Sequence, residues 1–105
     1  MIIQFNSDHH GTATEAFKAP LIASISEKLS RIDEHITRLD VHLKDENGSK
    51  GGLNDKRCML EAHVQGSHLV SVTNHANTYE QAVDGAIDKL KSALNTVEGR
   101  MKNHQ

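Results

Sequence analysis

Apolar residues recur along this chain with two periods, and the switches between them divide it into six segments. Met1 to Asn6 is short, apolar and β-prone, and predicts a first strand with Ile3 and Phe5 on one face. Ser7 to Gly11 reads as a polar turn. Thr12 and Glu15 have the spacing of a capping box. Beyond them Ala16, Phe17, Leu21, Ile25, Leu29 and Ile32 fall at three- and four-residue steps, so an amphipathic helix is expected over about 13–32. Pro20 lies inside that stripe and removes one backbone donor. A kink is expected there, because the stripe continues on both sides.

The period then drops to two. In Ile36 to Asp45, Leu39, Val41 and Leu43 point one way, and Arg38, Asp40, His42 and Lys44 the other. The stretch of about 45–55 holds three glycines with Asn, Ser and Lys, and predicts a mobile hairpin loop. Lys56 to Gln65 alternates again, with Cys58, Leu60, Ala62 and Val64 inward and Arg57, Met59, Glu61 and His63 outward. Gly66-Ser67 predicts a tight turn into a strand over about His68 to Ala76, with Val70 and Val72 inward. Asn77 is placed to cap the last helix, with Glu80 supporting it. Tyr79, Ala82, Val83, Ala86, Ile87, Leu90, Leu94, Val97 and Met101 form its apolar stripe. A frayed tail is expected at 103–105.

The order is β-α-β-β-β-α, an α+β class. Each helix has one apolar stripe and the later strands one apolar face. The simple solution is a two-layer sandwich, a four-stranded sheet with both helices on one side. The other sheet face is then left to solvent, which an antiparallel meander tolerates. No repeat or second domain is visible, so 1–105 reads as a single domain.

Composition narrows the function classes. A single cysteine, Cys58, allows no internal disulfide and fits a reducing cytoplasm. The N-terminus lacks the basic and apolar regions of a signal peptide. No run approaches the ~20 apolar residues of a membrane span, so no membrane is expected as partner. The net charge of -2 does not by itself announce a nucleic-acid binder. RNA contact must rest on local charge, and the eight histidines add positive charge at mildly acidic pH.

Three stretches resemble the ribosome hibernation-promoting factors, also called the sigma-54 modulation or ribosome-associated inhibitor family. MIIQFN with TEAF at 14–17 looks like the family's first strand and helix start, ITRLDVHLKDE at 36–46 its second strand, and TYEQAVDGAIDKL at 78–90 its most characteristic segment. The resemblance spans nearly the whole chain and is to the short branch. It implies a fold close to the double-stranded-RNA-binding domain. It also implies a seat on the small ribosomal subunit, in contact with ribosomal RNA, that occludes the mRNA-tRNA channel under stress. The family's basic row after D-K-L falls here on Ser92, Thr96 and Glu98, none of them basic. Lys89, Ser92 and Thr96 share a helical face, which is nearly neutral.

By this resemblance Lys28, Arg31 and Lys89 are assigned to phosphate contacts, with Lys56, Arg57, Lys91, Arg100 and Lys102 as helpers. The plain alternative is a solvated surface whose cations complement helix dipoles. His42, His63 and His75 alternate outward and invite comparison with a zinc site. However, no helical His-x-x-x-His pair and no Cys-x-x-Cys exists, so no metal is expected. Cys58 should face the core as a small hydrophobe. Tyr79 should pack in the helix stripe, and Gly48 to Gly52 lacks the phosphate-loop pattern. No catalytic residue, cofactor or small-molecule substrate is expected. The competing reading is a protein-protein interaction module docking through the open sheet face, with Met59, His42, His63 and Thr73.

Overall fold

The computed structural model describes residues 1–7, 15–30, 35–46, 54–66 and 68–102, with side chains in the last helix described as far as Asn95. Six elements follow in the order the periods require: β1 (Ile2–Ser7), α1 (Glu15–Lys28), β2 (Ile36–Asp45), β3 (Lys56–Val64), β4 (His68–Ala76) and α2 (Tyr79–Lys102). The sheet order is β1-β2-β3-β4. β1 pairs parallel with β2, and the other neighbours pair antiparallel. The sheet is therefore mixed rather than a pure meander. A parallel pair needs a crossover, which α1 supplies.

One apolar core joins the two layers. Leu21, Ile25 and Leu29 come from the first helical segment, Leu39, Val41, Leu43, Cys58, Leu60, Ala62 and Val64 from the central strands, and Ala82, Val83, Ala86, Ile87, Leu90 and Leu94 from α2. Ile3, Phe5, Val70 and Val72 pack against this core from the edge strands. Both helices thus cover one sheet face. Ile36 is buried with Leu39 although their separation is odd. The register shifts between Ile36 and Arg38, and this bulge at Thr37 restores Ile36 to the inner side. The Thr37 hydroxyl donates to the His63 carbonyl at 2.9 Å, anchoring the irregular turn of chain.

Several boundaries differ from the sequence reading. α1 ends at Lys28 instead of reaching 32, closing with Leu29 N–H to Ile25 O and Ser30 N–H to Glu27 O. Pro20 lies within the helix, which continues on both sides of it. The β2–β3 hairpin is closed by Glu46 N–H to Asp55 O at 2.8 Å. Asp45 and Asp55 therefore belong to the paired hairpin, and 47–53 lies outside the described residues, as do Thr12 and the 103–105 tail. Gln65 leaves β3 for the turn, where Gly66 has φ +87° and needs the freedom glycine has there. The N-cap of α2 is Thr78: its hydroxyl accepts from Gln81 N–H at 3.1 Å. Asn77 is occupied elsewhere, its side-chain oxygen accepting from Asn54 N–H at 2.7 Å.

Cys58 is fully buried in β3, and burial pushes its thiol up to about 12. A neutral thiol is what the fold prefers. Its contribution is complete below the ordinary value of 9.0 and is lost as pH rises through about 12. The folded protein is expected to resist an aromatic disulfide reagent at mildly alkaline pH, whereas the denatured chain should react fully. Rapid labelling without denaturant would show that β3 opens.

Candidate nucleic-acid interface

The two helices lie side by side over the sheet, and among the described side chains they carry the candidate cations Lys28, Lys89 and Lys91. Phe17 and Tyr79 meet edge to face where α1 and α2 begin, with ring centroids 5.6 Å apart. Tyr79 is half-buried there, as its place in the stripe predicts, and burial, followed by the Asp45 carboxylate, raises its hydroxyl pKa. Further along, Lys28 Nζ sits 2.8 Å from Asp84 Oδ1, and Ser24 donates to the same oxygen at 3.4 Å. Both charged side chains are more than a third exposed. Exposed pairs of this kind stabilise by about 0–1 kcal/mol, so a phosphate can replace Asp84 at little cost.

Lys89 occupies the opposite flank of α2 from Lys91, because two helical steps turn the side chain by about 200°. Its ammonium donates to the Thr73 carbonyl at 2.8 Å, reaching over β4. Lys91 is exposed and has no partner among the described residues. Around these cations α2 presents Glu80, Asp84 and Asp88, which keeps its outer face mixed in charge.

The remaining candidates are distributed elsewhere. Lys56 has the same strand parity as Cys58 and lies on the helix side of the sheet. It bonds Asp45 at 2.8 Å and Asp55 at 3.3 Å, and its ammonium is 5.7 Å from the Tyr79 ring centroid. The Asp45 hydrogen bond, ahead of the opposing desolvation, holds its pKa above the ordinary range. These carboxylates tie Lys56 to the hairpin end, apart from Lys28 and Lys89. Arg57 lies on the open sheet face, its guanidinium 4.0 Å from the Met59 sulfur. Arg31 lies outside the described residues, and so do the side chains of Arg100 and Lys102. The helix surface therefore brings together Lys28, with Lys91 on the same side of α2, and places Lys89 on the far flank. Asp84 was not among the residues singled out in the sequence. Its place in the acidic first half of α2 was the available signal.

On the open face the histidines pair with carboxylates. His42 Nε2 is 2.6 Å from Glu61, His63 Nε2 is 3.2 Å from Asp40, and His75 meets Glu46. Arg38 joins Asp40 at 3.1 Å. Among the described residues no group of three or more His, Cys, Asp or Glu is placed to hold a metal ion. Among them, too, no helix is long and apolar enough to cross a membrane.

The sequence profile of the family described as sigma 54 modulation protein / S30EA ribosomal protein matches residues 3–102. Among solved structures, the fold is similar to that of a ribosomal subunit interface protein from Coxiella burnetii. That match has TM-score 0.71 and 16% identity, covering 94% of this chain and 99% of the other. It is also similar to the Protein Y N-terminal domain of Thermus thermophilus, with TM-score 0.65 and 21% identity, covering 92% and 99%. No curated protein matches the sequence.

Proposed function

The chain belongs to the sigma 54 modulation protein / S30EA ribosomal protein family, and from that premise we propose that it is a cytoplasmic, ribosome-associated translation inhibitor. It binds ribosomal RNA of the small subunit and occludes the mRNA-tRNA channel under stress, without catalysis or cofactor. The family match over residues 3–102 carries this reading. The exposed Lys28–Asp84 pair and Lys91, which has no partner among the described residues, support it, since both offer charge to a phosphate without unfolding anything. In this reading Lys28, Lys89 and Lys91 make the principal phosphate contacts among the described side chains. Arg31, Lys56, Arg57, Arg100 and Lys102 assist. Phosphate contact supplies affinity and the shape of the helix layer supplies register.

The experiment is co-sedimentation of the purified protein with small ribosomal subunits at about 50 and 200 mM salt. Three phosphate contacts predict a log–log slope of roughly -2 to -3, which is roughly thirtyfold weaker binding across that range. Binding should be saturable and should fall when messenger or transfer RNA is added. Absence of binding at low salt would reject the ribosomal role and turn attention to a protein partner on the open sheet face.

A further inference from the structure

The strand registers arrange the open sheet face in transverse rows. Ile2, Arg38, His63 and Leu69 form one row; Gln4, Asp40, Glu61 and Ser71 the next; Asn6, His42, Met59 and Thr73 the third. The fourth row, at the hairpin end, pairs Lys44 with Arg57 and Arg57 with His75. Three basic residues thus stand directly opposite one another on three adjacent strands. Strands lie about 4.8 Å apart, so the row is only about 10 Å wide.

Directly opposed like charges destabilise a sheet. The basic residues of the first and third rows are compensated by the carboxylates of the row between them: Arg38 and His63 by Asp40, and His42 by Glu61. The fourth row is not compensated in the same way. Among the described residues Lys44 is exposed with no partner, and the hydrogen-bond partner of Arg57 is the Met59 sulfur. Among the described residues, the one carboxylate at this end of the face is Glu46, engaged by His75. Asp45 has the opposite parity to Lys44, Asp55 is buried just before β3, and both are bonded to Lys56 on the helix side. Among the described residues, two permanent cations against one carboxylate leave the row positive whatever the state of the imidazole.

We propose that the Lys44–Arg57–His75 row is a second RNA-binding site that takes phosphate groups of the RNA backbone, on the sheet face opposite the helices. Phosphate is the ligand because the row's two permanent cations, Lys44 and Arg57, have no carboxylate partner among the described residues and match the negative charge that every backbone phosphate carries. The inference shares with the proposed function the premise of RNA contact. It adds a contact surface that the helix layer does not contain.

The test measures anisotropy of a labelled 16-base-pair RNA duplex of non-ribosomal sequence with the wild-type protein and with Lys44→Gln/Arg57→Gln, at about 50 and 200 mM salt. The double variant should bind roughly tenfold more weakly or worse at the lower salt, with the salt slope reduced by about one to two. Its thermal midpoint should be unchanged or higher, because a repulsion has been removed; a merely structural pair would lower it. Duplex binding by the variant equal to the wild type, or no duplex binding by the wild type, overturns the proposal. Wild-type protein that binds the duplex through this row but ignores small subunits rejects the ribosomal role and leaves the row standing.

Discussion

Lys28→Glu/Lys89→Glu is expected to weaken association with small subunits roughly hundredfold at about 50 mM salt, if each lysine neutralises one phosphate. The two residues sit on different flanks of the helix layer. One is at the end of α1 against Asp84 and the other reaches Thr73 across β4. Losing both should remove about two units from the salt slope. The fold should survive, since an exposed ion pair and one exposed hydrogen bond contribute little beside the core. A far-ultraviolet dichroism spectrum and a thermal midpoint establish that before binding is measured. A folded variant that co-sediments like the wild type would remove these lysines from the interface.

Asp84→Asn provides the opposite sign. It keeps the side chain's shape and its contact with Ser24 but ends the competition for Lys28. If the ammonium serves a phosphate, this variant binds several-fold more tightly. If Lys28 only joins α1 to α2, binding does not change and stability drops slightly. Together the two variants separate an interface residue from a structural one. Either alone can be mimicked by a general change in net charge.

The strand register was largely legible because alternation is local: β2 and β4 have the bounds the period predicts. What escaped depended on contacts between distant residues. Ile36 enters the core through a bulge, and a strict period of two places it outside. Asn77 and Thr78 are both good N-caps. The choice between them follows from Asn54, which already occupies the Asn77 side chain across the hairpin. The same limit applies to the candidate interface. Lys28 is read as a free cation from sequence, but its partner lies 56 residues away on another helix. Lys56 was the readable case. Its parity with Cys58 puts it on the helix side, between two acidic residues of the hairpin.

Gly85→Ala should lower stability by about 1–3 kcal/mol, where an exposed mid-helix glycine would gain about 1 kcal/mol from the same change. A Cβ on Gly85 would stand 2.1 Å from Asn74 Nδ2 and 2.8 Å from its Cγ. No such contact is tolerated, so either the asparagine or the helix must move. Asn74 is held in place, since its amide donates to the Ala82 carbonyl at 3.2 Å and ties β4 to the second turn of α2. Swinging it away loses that bond and strands a half-buried amide. Shifting the helix instead disturbs Ala82, Ala86 and their neighbours, which are fully buried against the sheet. Denaturant unfolding of Gly85→Ala, Asn74→Ala and the double variant measures the coupling directly. With Asn74 already truncated, the three atoms nearest the added methyl are gone, and Gly85→Ala should become neutral or stabilising. A Gly85→Ala variant as stable as the wild type would mean that α2 and β4 have room to separate. The close approach of helix and edge strand would then not depend on this glycine.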